Sequence, residues 1–395
     1  MITLGYCCNS LGTHKTNFKT MTYKKYLAMA KAMRASGELG GCNPSHPGDQ
    51  VAHLNSLEKH LFKIYHHNIK ELIAVLKYNI ANDIKLYRIS SSLFPFWSME
   101  TVQWVDEDSN KNLIWPQESR KGYTIWPAGL FGCLVKNKLT SALNSDDFTL
   151  FDTVKAYLDG GGRLTMHPGE FISLGTSNLR IQRNSHRELF AHSAFLDWIK
   201  APKDYSCPIN IHISSGAQNI RSVASQVNLC FRELAKHHYS TFDRLVLEIE
   251  DKGQWTWQNL IKHFPGMPIT FDVHHWKINN QGESLIEALD ACSKTWLEER
   301  KYNYEIDLVL KEDWQFNRTN PRGRYYQECI KDSFTPLMHI SEGREHEYDR
   351  SHHDYVETIP EMMLHSPFDI SLEVEAKAKD LAYFALRSKY KELVA

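Results

Sequence analysis

The sequence carries no excess of either charge: 46 Lys and Arg stand against 47 Asp and Glu, a formal net charge of −1. So balanced a chain lacks the electrostatic footprint of an indiscriminate polyanion binder, and any nucleic-acid contact must be local. No apolar run approaches the roughly 20 residues that span a bilayer, and the start Met1-Ile2-Thr3-Leu4-Gly5-Tyr6 lacks the charged-then-apolar plan of a signal peptide. A cytoplasmic protein is expected. The eight cysteines (Cys7, Cys8, Cys42, Cys133, Cys207, Cys230, Cys292 and Cys329) include no C-x-x-C pair, which argues against a structural zinc site or a disulfide framework and for reduced, mostly buried thiols. Also absent are a phosphate-cradling Gly-rich loop, a Ser/His/Asp nucleophile arrangement, a low-complexity tail and a long internal repeat. With 42% hydrophobic and 24% charged residues the chain falls in the soluble globular class, and 395 residues suffice for one barrel-type domain with insertions.

Histidine, by contrast, is plentiful, with 20 in the chain. Six short apolar runs end in a side chain able to bind a metal: Arg163 to His167, Ile209 to His212, Leu245 to Glu250, Ile269 to Asp272, Leu337 to His339 and Ile370 to Glu375. Continuous apolar runs are what strands buried on both faces look like. If each run is a parallel strand, all of these groups lie at the carboxyl end of one sheet, where α/β folds build their active sites.

Strand-like runs alternate with helical patterns for nearly the whole length, as in repeated βα units. Ile2 to Tyr6 reads as a first strand and Lys85 to Ile89 as a second, with Leu57, Leu61, Ile64, Leu72, Ile73 and Leu76 at helical spacing between them. A helix is expected to start near Ser145 and stop at Gly160-Gly161-Gly162. Further helices are expected over Arg180 to Ile199, Ile220 to His237, Trp255 to His263, Leu285 to Trp296 and about Ala376 to Leu393. Eight strands with intervening helices predict a (β/α)₈ TIM barrel, one domain over 1–395, rather than an open sheet with a single ligand crevice. Three stretches break the rhythm: Gly37 to Gln50, and insertions at about 99–144 and 298–324. Loops as long as the last two are usually lids or binding elements.

A multinuclear site needs carboxylates to bridge cations and neutral imidazoles to complete each shell. Two ions about 3.5 to 4 Å apart can then hold both oxygens of an in-line phosphoryl displacement. His167, His212, Glu250, Asp272, His275, His339, His352 and Glu375 supply five imidazoles and three carboxylates, a mixed N/O set that suits two or three ions of Mn²⁺ or Zn²⁺ better than Ca²⁺ or Mg²⁺. Glu250, Glu375 and His339 are the expected catalytic residues. His274 is better read as structural.

In these segments the chain resembles the UV damage endonucleases, relatives of endonuclease IV on a TIM barrel. The resemblance is carried, in the family's order, by Leu4-Gly5-Tyr6, Tyr87-Arg88-Ile89-Ser90-Ser91, Met166-His167-Pro168-Gly169, Ile211-His212, Glu250-Asp251, Asp272-Val273-His274-His275, Met338-His339-Ile340-Ser341, His352-His353-Asp354-Tyr355 and Val374-Glu375-Ala376-Lys377. It implies up to three metal ions and incision of duplex DNA beside a damaged base, a UV photoproduct or an abasic site. The family's ligand pattern falls on the same eight residues, with Glu250 as the bridging carboxylate, His275 and His352 (or His353) on a third ion, and Tyr6 as the aromatic near the lesion.

Departures from the family's pattern are Met99 where it has a His, Leu337 where it has a Lys, and Glu170-Phe171 where it has a Gln and an aromatic that probe the lesion. A carboxylate near a phosphodiester is unfavourable unless protonated or bound to a cation. For DNA, phosphate contacts are expected from Arg88, Arg180, Arg183, Lys252, Lys277, Arg344 and Arg350, with Phe96, Trp97, Phe171 and Trp276 as apolar wedges. The alternatives are a sugar isomerase or epimerase and a metal-dependent nucleotide-modifying enzyme built on the same cluster.

Overall fold

Eight short segments, each rich in residues that suit a buried pleat, pair in chain order: β1 (Ile2–Cys7), β2 (Leu86–Ile89), β3 (Arg163–Met166), β4 (Ile209–Ile211), β5 (Leu245–Glu248), β6 (Ile269–Asp272), β7 (Leu337–Ile340) and β8 (Ile370–Val374). Every pair is parallel, and β8 closes on β1 from Ile2↔Ile370 to Tyr6↔Val374. The result is the closed eight-stranded barrel expected from the sequence. The computed structural model describes residues 1–36, 56–98, 150–169, 172–215, 219–297 and 334–393. The three expected irregular stretches and the proposed helix start at Ser145 therefore lie outside the described residues.

The helices among the described residues are α1 (Tyr23–Ala35), α2 (Ser56–Ala81), α3 (Leu150–Asp159), α4 (Leu179–Trp198), α5 (Ile220–His237), α6 (Tyr239–Phe242), α7 (Trp257–His263), α8 (Val273–Asn279), α9 (Leu285–Leu297), α10 (Glu361–Leu364) and α11 (Asp380–Lys389). Local chemistry sets several boundaries. The Asn178 and Asn219 side chains accept from the first free backbone N–H groups of α4 and α5, the usual work of an N-cap. Gly161, at φ +82, stops α3 in a backbone region that favours glycine. On α2 the expected stripe is buried except for the half-buried Ile73, with Leu57, Leu61, Leu72 and Leu76 wholly inaccessible; each of these leucines contributes about 1.5–3 kcal/mol of burial.

Two elements differ from expectation. The Val273–Asn279 helix begins directly at the end of β6, with the Asp272 carboxylate accepting from the His275 N–H at 2.7 Å. The last helix starts at Asp380, not near Ala376. Lys379 sits at φ +55, outside the helical region, so the helix begins only after it; the N–H groups of Lys377 and Ala378 before it bond to the carbonyls of His353 and Asp354 at 3.1 and 2.9 Å.

Alternation along the strands sorts the side chains. Leu245 and Leu247 join the main core under the helices, whereas Val246 packs with Leu86, Leu337, Tyr205 and Trp296 in a separate cluster low in the barrel. Arg163 caps that floor, donating to Ser371 Oγ at 2.9 Å and lying 5.5 Å over the Trp296 ring. The layer above is polar. Arg88 and Thr165 bond across the barrel to Glu373, and Asn210 bonds to Glu248. This replaces the branched aliphatic residues that usually fill a barrel interior.

Candidate metal centre

Above the polar layer, at the carboxyl mouth of the barrel, four imidazoles converge on one carboxylate, that of Glu248. Its Oε2 lies 3.0 Å from His167 Nε2. Its Oε1 lies 3.8 Å from His212 Nε2, 3.4 Å from His275 Nδ1 and 3.2 Å from His339 Nδ1. Glu375 Oε1 is 3.2 Å from the same His339 nitrogen, and Asp272 Oδ2 is 4.0 Å from it. Cys7, Glu373 and Glu375 form one set in which one ligand atom per residue falls within 4.8 Å of the others, and around Glu248 there are two more: His167, His212 and Glu248, and Glu248, Asp272, His339 and Glu375. Glu248 belongs to both, one oxygen facing His167 and the other facing His339. His352 stands at the rim, Nδ1 3.7 Å from Glu375 Oε2, while His353 turns to the Tyr355 backbone.

The central position expected for Glu250 is therefore occupied by Glu248. Glu250 lies beyond the last paired residue of β5, where its N–H bonds to the Trp255 carbonyl at 3.1 Å and its Oε1 accepts from the Ser214 N–H at 2.7 Å. It ties the turns after β4 and β5 together, and burial raises its pKa to about 7. The sequence holds the clue: Glu248 and Glu250 share strand parity, and the one inside the strand reaches the barrel axis. Glu373 was missed in the same way, two residues before Glu375 on β8.

Carboxylates and imidazoles in the cluster hold one another charged. Burial opposes charge on Glu248, yet His339 and His212 hold it well below the usual carboxylate range. Burial likewise opposes charge on His339 and His275, but Glu248 and Glu375 push the first up to about 10, and Asp272 and Glu248 push the second up to about 9. His212 goes the other way, lowered by burial to about 4. Asp272 Oδ2 and His212 Nδ1 are buried without a hydrogen-bond partner, a costly state for a polar atom. An unpartnered carboxylate oxygen facing imidazoles fits a divalent cation, and mixed N/O donors fit Zn²⁺ or Mn²⁺.

The expected DNA-contacting residues fare unevenly. Tyr6 points away from the mouth. It is wholly buried among the helices with its hydroxyl on Asn79 at 2.8 Å, because Ile2, Leu4 and Tyr6 alternate outward while Cys7 faces inward. Arg88 is 8% exposed and bound to Glu373 and Glu375 inside the barrel, so it is no phosphate contact. Lys252 is exposed beyond β5, and Lys277 and Trp276 are half-buried on α8, with the Trp276 ring 6.5 Å from Phe271. Trp97 is packed in the core and Phe96 lies 4.5 Å from the Tyr26 ring. Arg350 is paired with Asp251. Leu337 belongs to the apolar floor. Glu170, Phe171 and Met99 lie outside the described residues.

Comparison with known proteins matches residues 2–113, 149–308 and 307–394 to the family model of the UV-endonuclease UvdE. A UV DNA damage endonuclease of Deinococcus radiodurans is 25% identical over 389 residues, covering 97% of this chain and 94% of the relative. One from Bacillus cereus is 26% identical over 332 residues, covering 83% and 82%. The crystal structure of SacUVDE superimposes with a TM-score of 0.63 at 20% identity, over 100% of this chain and 99% of that one, which shows the same fold.

Proposed function

The chain belongs to the UV-endonuclease UvdE family, and from that premise we propose that it is a metal-dependent repair endonuclease that hydrolyses a phosphodiester beside a damaged base in duplex DNA. Membership makes it an enzyme of DNA repair. What carries the metal-dependent part is Glu248, a buried carboxylate shared by two donor sets. In this reading His167 and His212 would hold one ion and Asp272, His339 and Glu375 a second, with Glu248, in place of Glu250, as the carboxylate available to both. His275 and His352 stand at the rim for a third. Divalent ions bound there would supply Lewis acidity for phosphodiester hydrolysis.

The protein's own side chains do the rest. The Glu248 and Glu375 carboxylates, held charged at the base of the mouth, would attract cations. Lys252, exposed in the loop after β5, and Lys277, half-buried on α8, are the basic groups this reading assigns to the DNA backbone. The lesion is a UV photoproduct or an abasic site, and Glu170-Phe171 follow the strand end that carries His167.

Elemental analysis coupled to a nicking assay tests this. Protein purified metal-replete at neutral pH should carry about two equivalents of Mn²⁺ or Zn²⁺ and nick a photoproduct-bearing duplex in a chelator-sensitive way. Less than one equivalent removes the metal centre from the assignment, and equal cutting of undamaged duplex removes damage recognition.

A further inference from the structure

Resting on the metal-dependent reading above, we propose that Arg88 and Glu373 form a positioning pair: an ion pair sealed inside the barrel beneath the cluster that holds His339 and Glu375 in the poses needed to take up cations. Arg88 comes from β2 and Glu373 from β8, and both alternate into the interior. The Arg88 Nε donates to Glu373 Oε2 at 2.6 Å, and Glu373 has no solvent exposure. Thr165 donates to the other Glu373 oxygen from β3.

Both ends of the pair reach the cluster. Arg88 Nη2 donates to Glu375 Oε1, leaving Oε2 on the side of His352. The His339 ring stands between pair and cluster. Its Nε2 lies 2.9 Å from Arg88 Nη2 and 3.2 Å from Glu373 Oε2, while Nδ1 faces Glu248 and Glu375, both at 3.2 Å. Once Nδ1 gives its lone pair to an ion, Nε2 must carry the proton; Arg88 Nη2 is itself a donor and cannot take it, so Glu373 Oε2 is the acceptor within reach. A carboxylate behind a metal-binding imidazole fixes both its tautomer and its orientation.

Stability alone gives the pair little purpose. A buried ion pair does no better than apolar side chains of similar volume, which often replace it at no cost, and the interior of such barrels is ordinarily aliphatic. The contacts to His339 and Glu375 supply the purpose that packing does not.

Two variants test the pair: Glu373→Gln, which keeps the shape and one acceptor oxygen but removes the charge, and the double change Arg88→Met with Glu373→Leu, which replaces the pair by an apolar contact. Each is stripped of metal, checked by thermal unfolding, and titrated with Co²⁺ against a chromophoric chelator while the visible Co²⁺ bands are recorded. Folded variants should bind Co²⁺ about 10 to 100-fold more weakly than the parent, with shifted bands. Should the double variant fail to fold, Glu373→Gln alone decides. Parent-like affinity and bands in a folded variant would overturn the pair's role and leave the metal centre standing. A parent that binds no Co²⁺ would overturn the metal centre itself, and the pair with it.

Discussion

Glu248 and Glu250 differ by two positions on one strand, and their surroundings assign them opposite work. Glu248 faces four imidazoles, whereas Glu250 meets a backbone N–H and a turn. Glu248→Gln should therefore lower metal affinity about 10 to 100-fold or more and abolish incision. Glu250→Gln should keep the parent's metal content, which plasma emission spectrometry reads directly; the reverse pattern would return the bridging role to Glu250. A second consequence follows from the Glu250 pKa, raised by burial from 4.5 to about 7. Its contribution to stability is full below pH 4.5 and is lost as pH rises through 7, because charging a buried carboxyl is unfavourable. Relative to the parent, Glu250→Gln should gain stability from pH 5 to pH 8 in chelator-treated samples. Residue identity was thus legible in the sequence to within one alternation. The ligand-bearing runs were visible, but whether a strand's last paired residue or the one beyond it reaches the axis depends on where pairing stops. Tyr6 failed for the same reason, since a motif does not reveal which face of β1 it occupies.

Among elements, those with local signals were legible and those set by tertiary contacts were not. The strands, the Asn-capped helices α4 and α5 and the glycine stop after α3 all have causes within a few residues. Asp380 has none. It opens α11 but spends its carboxylate on the segment after β1, accepting from Ser10 Oγ at 2.8 Å, from the N–H groups of Leu11 and Gly12 at 2.6 and 3.1 Å, and from Tyr78 Oη at 3.1 Å. Gly12 lies so near that a Cβ there would stand 2.7 Å from Asp380 Oδ2. This side chain adds a further link between the two ends of the described chain, beyond the β1–β8 pairing, and lies 370 positions from Ser10 in sequence. Asp380→Ala leaves several donors unsatisfied and should cost about 3 kcal/mol, with faster amide exchange at Leu11 and Gly12. Unchanged exchange at those amides would show that other contacts hold the segment.

At the scale of the whole molecule, the barrel is graded along its axis: an apolar floor under Arg163, a polar layer of Arg88, Thr165, Asn210 and Glu373, then the imidazoles and carboxylates at the mouth. The periodicity of the βα units made the barrel legible, but not this grading, which arises only when strands distant in sequence face each other across the interior. Among the described residues no helix is long and apolar enough to cross a membrane. Because the grading places charge at the mouth, protons and cations compete for it. Without metal, neighbouring carboxylates raise His275 to about 9 and His339 to about 10 from 6.5. The stability these imidazolium groups contribute is complete below pH 6.5 and is lost as pH rises through 9 and 10. Ions need the same imidazoles neutral, so their affinity rises over that interval. Stripped and loaded protein should therefore diverge. The stripped form should melt at lower temperature from pH 7 to pH 10, and the loaded form should gain about 2.7 kcal/mol over it wherever free ion exceeds its Kd 100-fold. Adding Zn²⁺ to stripped protein in weak buffer near pH 7.5 should acidify the solution, as His275 and His339 give up protons that His212, lowered to about 4, does not carry. A melting gap independent of pH, together with no proton release, would mean that the ions bind somewhere other than this cluster.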